Sequence, residues 1–323
     1  MSGKKDTEFL DAIHFPERSV VRAAELLKAG EIVAFPTETV YGLGAAVFNE
    51  EAVREVFRAK GRPQDNPLIV HIASVGDITR VALHIPPLFN LLAREFFPGP
   101  LTVVLDKHPS VPAIVTAGLP GVAVRMPAHP VALALIEAAG EPLVAPSANR
   151  SGQPSPTSAR HVLDDLEGRI AAVVDGGECE VGIESTVISL RGVVPVILRP
   201  GAVTKEQLEA VAGQKFEYAV HQQGTAPAAP GMKYRHYAPE ARVVLVMDRQ
   251  EAQEKIRVAE GTVRVLANIE SGFADQRPLL AKTLYAEFRQ ADADGIGELI
   301  LVCDKRVQND AGLMNRIKKA AEA

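Results

Sequence analysis

Short apolar runs rich in valine and isoleucine alternate with amphipathic stretches along the first two hundred residues. Short runs of this kind are typical of buried strands, whereas the amphipathic stretches repeat with the period of a helix. The alternation of the two patterns predicts a mixed α/β fold. The predicted helices cover residues 19–28, 50–60 and 158–166, and the predicted strands cover residues 31–35, 68–72, 101–106, 122–125, 143–145, 172–174, 185–190 and 196–199.

A second α/β unit follows a stretch rich in glutamine, alanine, proline and glycine, QQGTAPAAPGMKYRHYAP, which has the composition of a linker. The 323 residues suit two domains at roughly 150 residues each. We therefore predict one domain over residues 15–205, a linker over 213–239 and a second domain over 240–323. In the second domain, alternating elements predict a small, doubly wound parallel sheet. Its predicted strands cover residues 242–247, 262–267 and 298–303, and its predicted helices cover 250–259, 279–291 and 311–321.

The balance of 35 basic and 40 acidic side chains, a net charge of -5, provides no overall field to hold a polyanion. We therefore expect any anion site to be local and expect no stable binding to nucleic acid. The two cysteines, Cys179 and Cys303, form neither a disulfide framework nor a metal-binding motif. No apolar stretch approaches the ~18 residues of a membrane helix. These features predict a cytoplasmic protein without a membrane partner.

Two loops carry polar side chains that could bind an anion. In FRAKGRPQDNPL, Lys60 and Arg62 lie at the end of a predicted helix. Cations there either complement the helix dipole or form a phosphate site, and the spacing leaves both open. In APSANRSGQPSPTS, Ser147, Asn149 and Ser155 follow a predicted strand. They either face a ligand at the carboxyl end of the sheet or satisfy their own backbone.

Two arginines and one histidine end or interrupt the apolar runs. Arg125 ends the strand in VAVRMPAHP, and Arg199 ends the strand in VILRPG. An arginine at a strand end is more often a solvated residue than an oxyanion ligand, but the joint appearance of two at strand ends strengthens the second interpretation. Taken alone, His71 in IVHIA is more typical of a core histidine whose hydrogen bonds are made within the protein.

Seven stretches together resemble the YrdC family in its long, two-domain form: FPTETVYGLG, KGRPQDNPLIVHI, FFPGPLTVVL, VAVRMPAHP, APSANRSGQPSPT, GIESTVI and ILRPGAV, followed by GMKYRHYAP. The resemblance begins near Phe15 and is most specific in the first domain. It implies an α/β fold with a YrdC-like twisted open mixed sheet and helices, plus a small C-terminal Rossmann-like domain. It also implies a nucleotidyltransferase that makes threonylcarbamoyl-adenylate and pyrophosphate from L-threonine, bicarbonate and ATP, for modification of the adenosine next to the anticodon of tRNA.

The same resemblance assigns residues to two sides of one site and implies Mg²⁺ held mainly by the phosphates of ATP. Lys60 and Arg62 would be catalytic. The residues implied to bind ATP are Lys60, Arg62, Asn66, Ser147, Asn149, Ser155, Arg199 and Tyr237, and those implied to bind L-threonine are Thr39, His71, Arg125 and Ser185. Arg125 would grip the carboxylate of threonine, and Tyr237 would close over the nucleotide as part of a lid formed by the linker.

Gly121 departs from the threonine that members of this family usually carry before the strand of Arg125. A hydroxyl contact to ATP is therefore either absent or made by a neighbour such as Thr116. Two other functions stay open: an RNA-binding module without chemistry of its own, and a maturation enzyme that uses carbamoyl phosphate, although the metal-ligand cysteines of such enzymes are absent. The product implies a downstream transferase acting on tRNA as a partner. We further hypothesise that the C-terminal domain anchors the lid.

Overall fold

The computed structural model describes residues 5–219, 237–268 and 272–322. The strands, numbered in chain order, are β1 (Glu8–Asp11), β2 (Val33–Phe35), β3 (Gly42–Ala46), β4 (Ile69–His71), β5 (Ala82–Leu83), β6 (Leu101–Lys107), β7 (Gly121–Arg125), β8 (Leu143–Val144), β9 (Ala172–Asp175), β10 (Thr186–Ser189), β11 (Val196–Arg199), β12 (Glu217–Tyr218), β13 (Arg242–Val246), β14 (Val263–Leu266), β15 (Gln276–Arg277) and β16 (Glu298–Val302). The helices are α1 (Pro16–Lys28), α2 (Glu50–Lys60), α3 (Ile78–Val81), α4 (Pro87–Phe96), α5 (Pro130–Ala139), α6 (Ala159–Leu166), α7 (Lys205–Ala212), α8 (Arg249–Val258), α9 (Leu284–Ala293), α10 (Lys305–Asn309) and α11 (Ala311–Ala321).

A large mixed sheet forms the first domain, in the order β1-β9-β2-β3-β8-β4-β7-β6-β10-β11-β12, with β5 paired to β6. Neighbours such as β4 and β7 run parallel, whereas β2 and β3 form an antiparallel pair. The predicted open mixed sheet is therefore confirmed. Its outer strands β1 and β12 lie outside the range 15–205 that the sequence pattern suggested for this domain.

A second, smaller sheet forms the C-terminal domain, in the order β13-β16-β14-β15, and its strands pair in parallel. Helices α8 and α9 separate its strands along the chain. This is the predicted doubly wound α/β arrangement. In the described parts of the chain, no helix has both the length and the apolar character needed to cross a membrane.

Helix α2 begins and ends at residues that the sequence identifies. The side chain of Asn49 accepts a hydrogen bond from the backbone N–H of Ala52, which satisfies one of the free donors of the first turn. Glu50 and Glu51 follow at the positive end of the helix dipole. Gly61 ends the helix with a φ of 62°, a left-handed conformation that glycine adopts at low cost. The end of α2 consequently delivers Lys60 and Arg62 to the loop that follows.

Several elements differ from the sequence prediction. The interval 279–291 was predicted as helix throughout, but α9 begins only at Leu284. Strand β3 was not predicted because its sequence, GLGAA, has little strand propensity. A side chain at Gly44 would come within 2.8 Å of the Phe35 ring on β2, so the close pairing of these strands requires a small residue there. Most of the predicted linker and lid over 213–239 lies outside the described residues.

The two domains share an apolar cluster and approach each other closely. Val40 and Ile183 of the first domain pack in the same buried cluster as Tyr285 and Leu313 of the C-terminal domain. At Gly312, in the first turn of α11, an added Cβ would lie 2.8 Å from the carbonyl oxygen of Gly201. The domain interface is thus packed like an interior rather than like a loose surface contact.

Candidate active site

A cavity lies where β4, β7 and β11 end and the loops after β2 and β8 meet. His71 and Arg125 are register partners at the carboxyl ends of the parallel strands β4 and β7, which explains why they face the same space. Lys60 and Asn66 are buried but do not line this cavity. The other ten residues suggested for the site do so: Thr39, Arg62, His71, Arg125, Ser147, Asn149, Ser155, Ser185, Arg199 and Tyr237.

Arg125 is held on three sides, all within the first domain. Its Nη1 donates a hydrogen bond to Oγ1 of Thr39 at 2.9 Å, and its Nε donates to the carbonyl oxygen of Gly99 at 3.3 Å. Its Nη2 lies 2.7 Å from the carboxylate of Glu38, and both side chains are almost fully buried. A guanidinium fixed in this way offers a planar fork in a defined orientation, which suits a carboxylate ligand.

The polar turn after β2 is organised by Thr37. Its hydroxyl donates to the carbonyl oxygen of Val40 at 2.6 Å and accepts from the backbone N–H groups of Thr39 and Val40 at 3.2 Å. It also lies 2.9 Å from the hydroxyl of Thr39. The turn therefore uses side-chain hydrogen bonds to fix the position of Thr39, which explains the unusual density of hydroxyl groups after a short buried strand.

His71 is buried and uncharged at neutral pH. Burial, followed by the positive charge of Arg125, lowers its pKa to about 3, although a hydrogen bond to Ile69 acts in the opposite direction. Its Nδ1 lies 3.3 Å from the carbonyl oxygen of Ile69. Because a carbonyl oxygen can only accept, Nδ1 carries the proton and Nε2 is left as a hydrogen-bond acceptor. The residue thus offers an acceptor beside the arginine fork.

Arg199 and Ser185 form the adjoining wall. Nε and Nη2 of Arg199 donate to the carbonyl oxygen of Ser185 at 3.2 and 2.9 Å, and Nη2 lies 3.3 Å from its hydroxyl. The same hydroxyl lies 2.8 Å from that of Thr102 on β6. Burial lowers the pKa of Arg199, while the hydroxyl of Tyr237 is hydrogen-bonded to it. A buried guanidinium at this position favours an anionic ligand.

Lys60 ties α2 to the loop after β8. Its Nζ donates to the carbonyl oxygens of Ser147 and Asn149, each at 2.5 Å. Burial and the charge of Arg62 lower the pKa of Lys60 well below its ordinary value. The structure therefore shows the side-chain nitrogen of Lys60 fixing loop carbonyls behind the cavity wall. Its role at a phosphate stays a prediction.

The loop after β8 partly satisfies its own polar groups. The side-chain amide of Asn149 donates to the carbonyl oxygens of Arg150 and Gln153 at 2.9 and 2.8 Å. Oγ of Ser147 donates to Oδ1 of Asn149 at 2.5 Å. The sequence left open whether this loop serves its own backbone or a ligand. For the nitrogen of Asn149, the structure favours the first reading.

Arg62 brings a second guanidinium, half-buried, to the wall of the cavity. Its Nε and Nη2 donate to the carbonyl oxygens of Asn66 and Pro67 at 3.2 and 2.9 Å. Burial lowers its pKa to about 10, and the nearby charge of Arg199 acts in the same direction. The side-chain amide of Asn66 is buried, and neither its nitrogen nor its oxygen has a partner among the described residues. Because Asn66 does not line the cavity, its role towards ATP stays a prediction.

The departure at Gly121 has a packing reason. A Cβ at this position would lie 2.9 Å from both Cγ1 of Val104 and Cδ of Arg191, so the strand pair β6 and β7 leaves little room for threonine. The hydroxyl of Thr116 donates to the carbonyl oxygen of Leu119 at 2.9 Å and serves its own turn. Neither residue lines the cavity.

Glu184 is the main residue that sequence reasoning missed. It lines the cavity, is 7 % exposed, and accepts hydrogen bonds from Ser155, Tyr285 and Arg316. The stretch GIESTVI contains it, next to Ser185. However, a single glutamate before a strand gives no sign that two of its partners, Tyr285 and Arg316, lie more than a hundred residues further along the chain. Thr37 and Gln153 also line the cavity and were not predicted.

Comparisons with known proteins agree with this architecture. The family model described as "Telomere recombination" (Sua5_yciO_yrdC) matches residues 25–201, and the model described as "Threonylcarbamoyl-AMP synthase, C-terminal domain" matches residues 203–322. The threonylcarbamoyl-AMP synthase of Pyrococcus abyssi is 44 % identical, over 93 % of each chain. That of Bacillus subtilis is 42 % identical, over 96 % of this chain and 95 % of its own.

Among solved structures, the crystal structure of P. abyssi Sua5 complexed with L-threonine matches with a TM-score of 0.89 and 42 % identity. The match covers 98 % of this chain and 97 % of that one. Both domains are therefore matched, and in the same order along the chain. The chain belongs to the Sua5, YciO and YrdC family, in the two-domain form that carries a C-terminal domain of the threonylcarbamoyl-AMP synthase type.

Proposed function

We propose that this chain is an L-threonylcarbamoyl-AMP synthase, which converts L-threonine, bicarbonate and ATP into threonylcarbamoyl-adenylate and pyrophosphate. The observation that carries the proposal is one cavity with two kinds of anion site. Arg125 beside Thr39 suits the carboxylate of an amino acid, and Arg62 with Arg199 suits the phosphates of a nucleotide. The relatives that carry this name are 39 to 44 % identical over most of the chain.

The chemistry needs positioning more than it needs a protein nucleophile. The amine of threonine first attacks the carbon of bicarbonate, and the carbamate forms as a C–O bond breaks and water leaves. An oxygen of the carbamate then attacks the α-phosphorus of ATP, while the bond to the leaving pyrophosphate breaks. Negative charge accumulates on phosphate oxygens in this step, so the half-buried Arg62 and the buried Arg199 would stabilise it. Holding the carbamate and the nucleotide in one cavity makes their reaction effectively intramolecular.

On the threonine side, the proposal gives each residue a separate task. Arg125 would grip the carboxylate, the hydroxyls of Thr39 and Ser185 would contact polar groups of the amino acid, and the neutral His71 would accept a hydrogen bond through Nε2. Because Arg125, Thr39 and His71 are already fixed by contacts within the first domain, this half of the site is preorganised.

We propose that magnesium enters as part of the substrate MgATP. In the described part of the chain, no group of three or more His, Cys, Asp and Glu side chains is placed to hold a metal ion. The carboxylate of Glu184 is paired with Arg316, and that of Glu38 with Arg125. The remaining side chains around the cavity carry mainly hydroxyl, amide and cationic groups. This set fits a triphosphate, whose own oxygens would then be the main ligands of Mg²⁺.

The product is a labile mixed anhydride, and we propose that a downstream transferase uses it to modify tRNA in the cytoplasm. Tyr237, at the end of the predicted lid, lines the cavity and would help to exclude water from this product. Both cysteines are free and buried, and burial raises the pKa of Cys179 to about 12, as suits inert thiols in a reducing compartment.

The test is release of pyrophosphate from ATP by the purified protein, with and without L-threonine and bicarbonate, and with L-serine in place of threonine as the control. We expect release that requires both co-substrates and Mg²⁺, and that is weaker with serine. A folded protein that binds ATP but releases no pyrophosphate under any of these conditions would refute the proposal. Salt-sensitive binding of RNA by such a protein would then favour the RNA-binding alternative.

A further inference from the structure

Glu184 joins the two domains at the nucleotide side of the cavity. Its carboxylate accepts a hydrogen bond from Oγ of Ser155 at 2.5 Å. It also accepts from the hydroxyl of Tyr285 at 2.9 Å and from Nε of Arg316 at 2.7 Å. Ser155 belongs to the loop suggested for ATP, whereas Tyr285 on α9 and Arg316 on α11 belong to the C-terminal domain. One buried carboxylate therefore connects that domain directly to a suggested ATP ligand.

Glu184 and Arg316 are both charged at neutral pH. Burial alone would raise the pKa of Glu184, but the charges of Arg316 and Arg199 and the hydrogen bonds from Ser155 and Arg316 lower it to about 2. Arg316 is fully buried and also donates to the backbone carbonyl oxygens of Glu184 and Pro200 at 3.2 and 2.7 Å. An ion pair held by this many hydrogen bonds is rigid, and removal of one member leaves the other charge stranded.

A second contact from the same domain holds the same loop. Arg289 on α9 donates through Nη2 to the carbonyl oxygen of Pro154 at 2.5 Å and to Asp165 at 2.8 Å. Asp165 also accepts from the backbone N–H of Arg150 at 3.2 Å. The loop of residues 147–157 is therefore held by contacts both before and after Gln153. Each set of contacts includes a side chain of α9.

Aromatic packing extends the cluster to the cavity wall. The rings of Tyr237 and Tyr285 stack with centroids 5.6 Å apart, and the guanidinium of Arg316 lies 5.5 Å from the centre of the Tyr237 ring. The hydroxyl of Tyr237 is in turn hydrogen-bonded to Arg199. The described contacts of Arg125 on the threonine side, by contrast, all lie within the first domain.

We propose that Glu184 is a positioning residue through which Arg316 and Tyr285 of the C-terminal domain hold Ser155 in place for ATP. The inference rests on the proposed function and deepens it, since it gives the C-terminal domain a task in nucleotide binding. It implies that the domain sets the affinity for ATP and leaves the affinity for threonine unchanged.

The first test uses Tyr285→Phe, which removes one hydroxyl and keeps the ring that stacks on Tyr237. This is a milder change than Glu184→Gln, which would strand the charge of Arg316. Because a hydrogen bond to a charged group is lost, we expect the Kd of ATP, measured by calorimetry without turnover, to rise about tenfold. The Kd of L-threonine should change less than about twofold. An unchanged Kd for ATP, or equal weakening of both ligands, would overturn the inference.

The second test asks whether the effect passes through Ser155. In a double-mutant cycle, Tyr285→Phe should weaken ATP binding by less than about twofold when Ser155→Ala is already present. If the two substitutions weakened ATP binding additively, the effect of Tyr285 would not pass through Ser155. Arg264→Lys is the matched control, because Arg264 is a buried arginine whose ion pairs, with Asp275 and Asp294, lie within the C-terminal domain. It should lower the melting temperature and leave the Kd of ATP unchanged.

These measurements test the inference about Glu184 and the proposed function independently of each other. Binding of ATP is read without any reaction, so the inference about Glu184 can fail in an enzyme that releases pyrophosphate as proposed. Conversely, absence of threonine-dependent pyrophosphate release from the unaltered protein would refute the proposed function, whatever the variants do to ATP binding.

Discussion

The imidazole of His71 lies in an apolar interior beside the positive charge of Arg125, and both disfavour its protonated form. With a pKa of about 3 in the folded state, His71 stays neutral across the range in which an ordinary histidine, near 6.5, takes up a proton. A neutral ring is also what its proposed role requires, because only then can Nε2 accept a hydrogen bond.

This lowered pKa predicts how stability depends on pH. As the pH falls below about 6.5, the unfolded chain binds a proton at this residue and the folded chain does not, so the contribution of His71 to stability falls from pH 6.5 towards pH 3. We expect this residue to account for about 2 kcal/mol of lost unfolding free energy between pH 7 and pH 5. Urea unfolding of the native chain and of His71→Gln at both pH values isolates the effect.

The same claim can be checked on the ring itself. Nitrogen chemical shifts of labelled histidine should show His71 as the neutral Nδ1–H tautomer down to pH 5. A titration of this ring with a midpoint near 6.5, or a His71→Gln variant with the same loss of stability at low pH as the native chain, would show that burial does not control its charge.

Lys60 makes contacts that its residue type and its position in the sequence do not predict. The sequence placed a lysine at a helix end and left open a dipole role or a phosphate role. The structure adds a third role, because Nζ of Lys60 donates hydrogen bonds to the carbonyl oxygens of Ser147 and Asn149. Those oxygens lie nearly ninety residues further along the chain. Because every residue has a backbone carbonyl, the sequence does not show which of them a lysine contacts. The same limit hid Glu184, because its partners Tyr285 and Arg316 are in another domain.

At the scale of elements, the sequence predicted best where local rules decide the outcome. Helix α2 has the predicted bounds because Asn49 and Gly61 fix its ends locally. Strands β6, β7 and β11 match because valine and isoleucine suit buried strands. Helices α4 and α5 both begin at proline and were not predicted; α4 is amphipathic and was overlooked, whereas α5 is largely apolar and lacks a clear amphipathic period. Whether these two stretches fold as helices depends on the surfaces against which they pack.

The contact between α11 and the loop after β11 gives a prediction at this scale. Gly312→Ala adds a methyl group 2.8 Å from the carbonyl oxygen of Gly201, and backbone cannot move aside as a flexible side chain can. We expect a loss of about 1 to 3 kcal/mol in unfolding free energy, as in other overpacked interiors. We also expect weaker binding of ATP, because α11 carries Arg316. Chemical denaturation and calorimetry measure the two effects.

Gly192→Ala is the control for this variant, since a side chain there meets nothing closer than 3.5 Å. It should leave both quantities unchanged. If Gly312→Ala were as stable as the native chain and bound ATP equally well, the close approach of the two domains would not be maintained in solution.

At the scale of the whole molecule, the C-terminal domain is part of the same structural unit as the site. Tyr285 and Leu313 pack with Val40 and Ile183 in one buried cluster, and the ion pair of Glu184 with Arg316 lies within the interface. Domains joined by polar, hydrated surfaces usually move and unfold separately. An interface with a shared core and a buried ion pair should instead couple the two.

We therefore predict that the full chain unfolds in one cooperative calorimetric transition, and that Glu184→Gln splits it into two. The substitution keeps the shape of the side chain but leaves the buried charge of Arg316 unpaired, which should weaken the interface by about 3 kcal/mol or more. Arg264→Lys, within the C-terminal domain alone, should shift the transition without splitting it. Two transitions in the unaltered chain would show that the domains unfold independently and that their contact transmits little free energy.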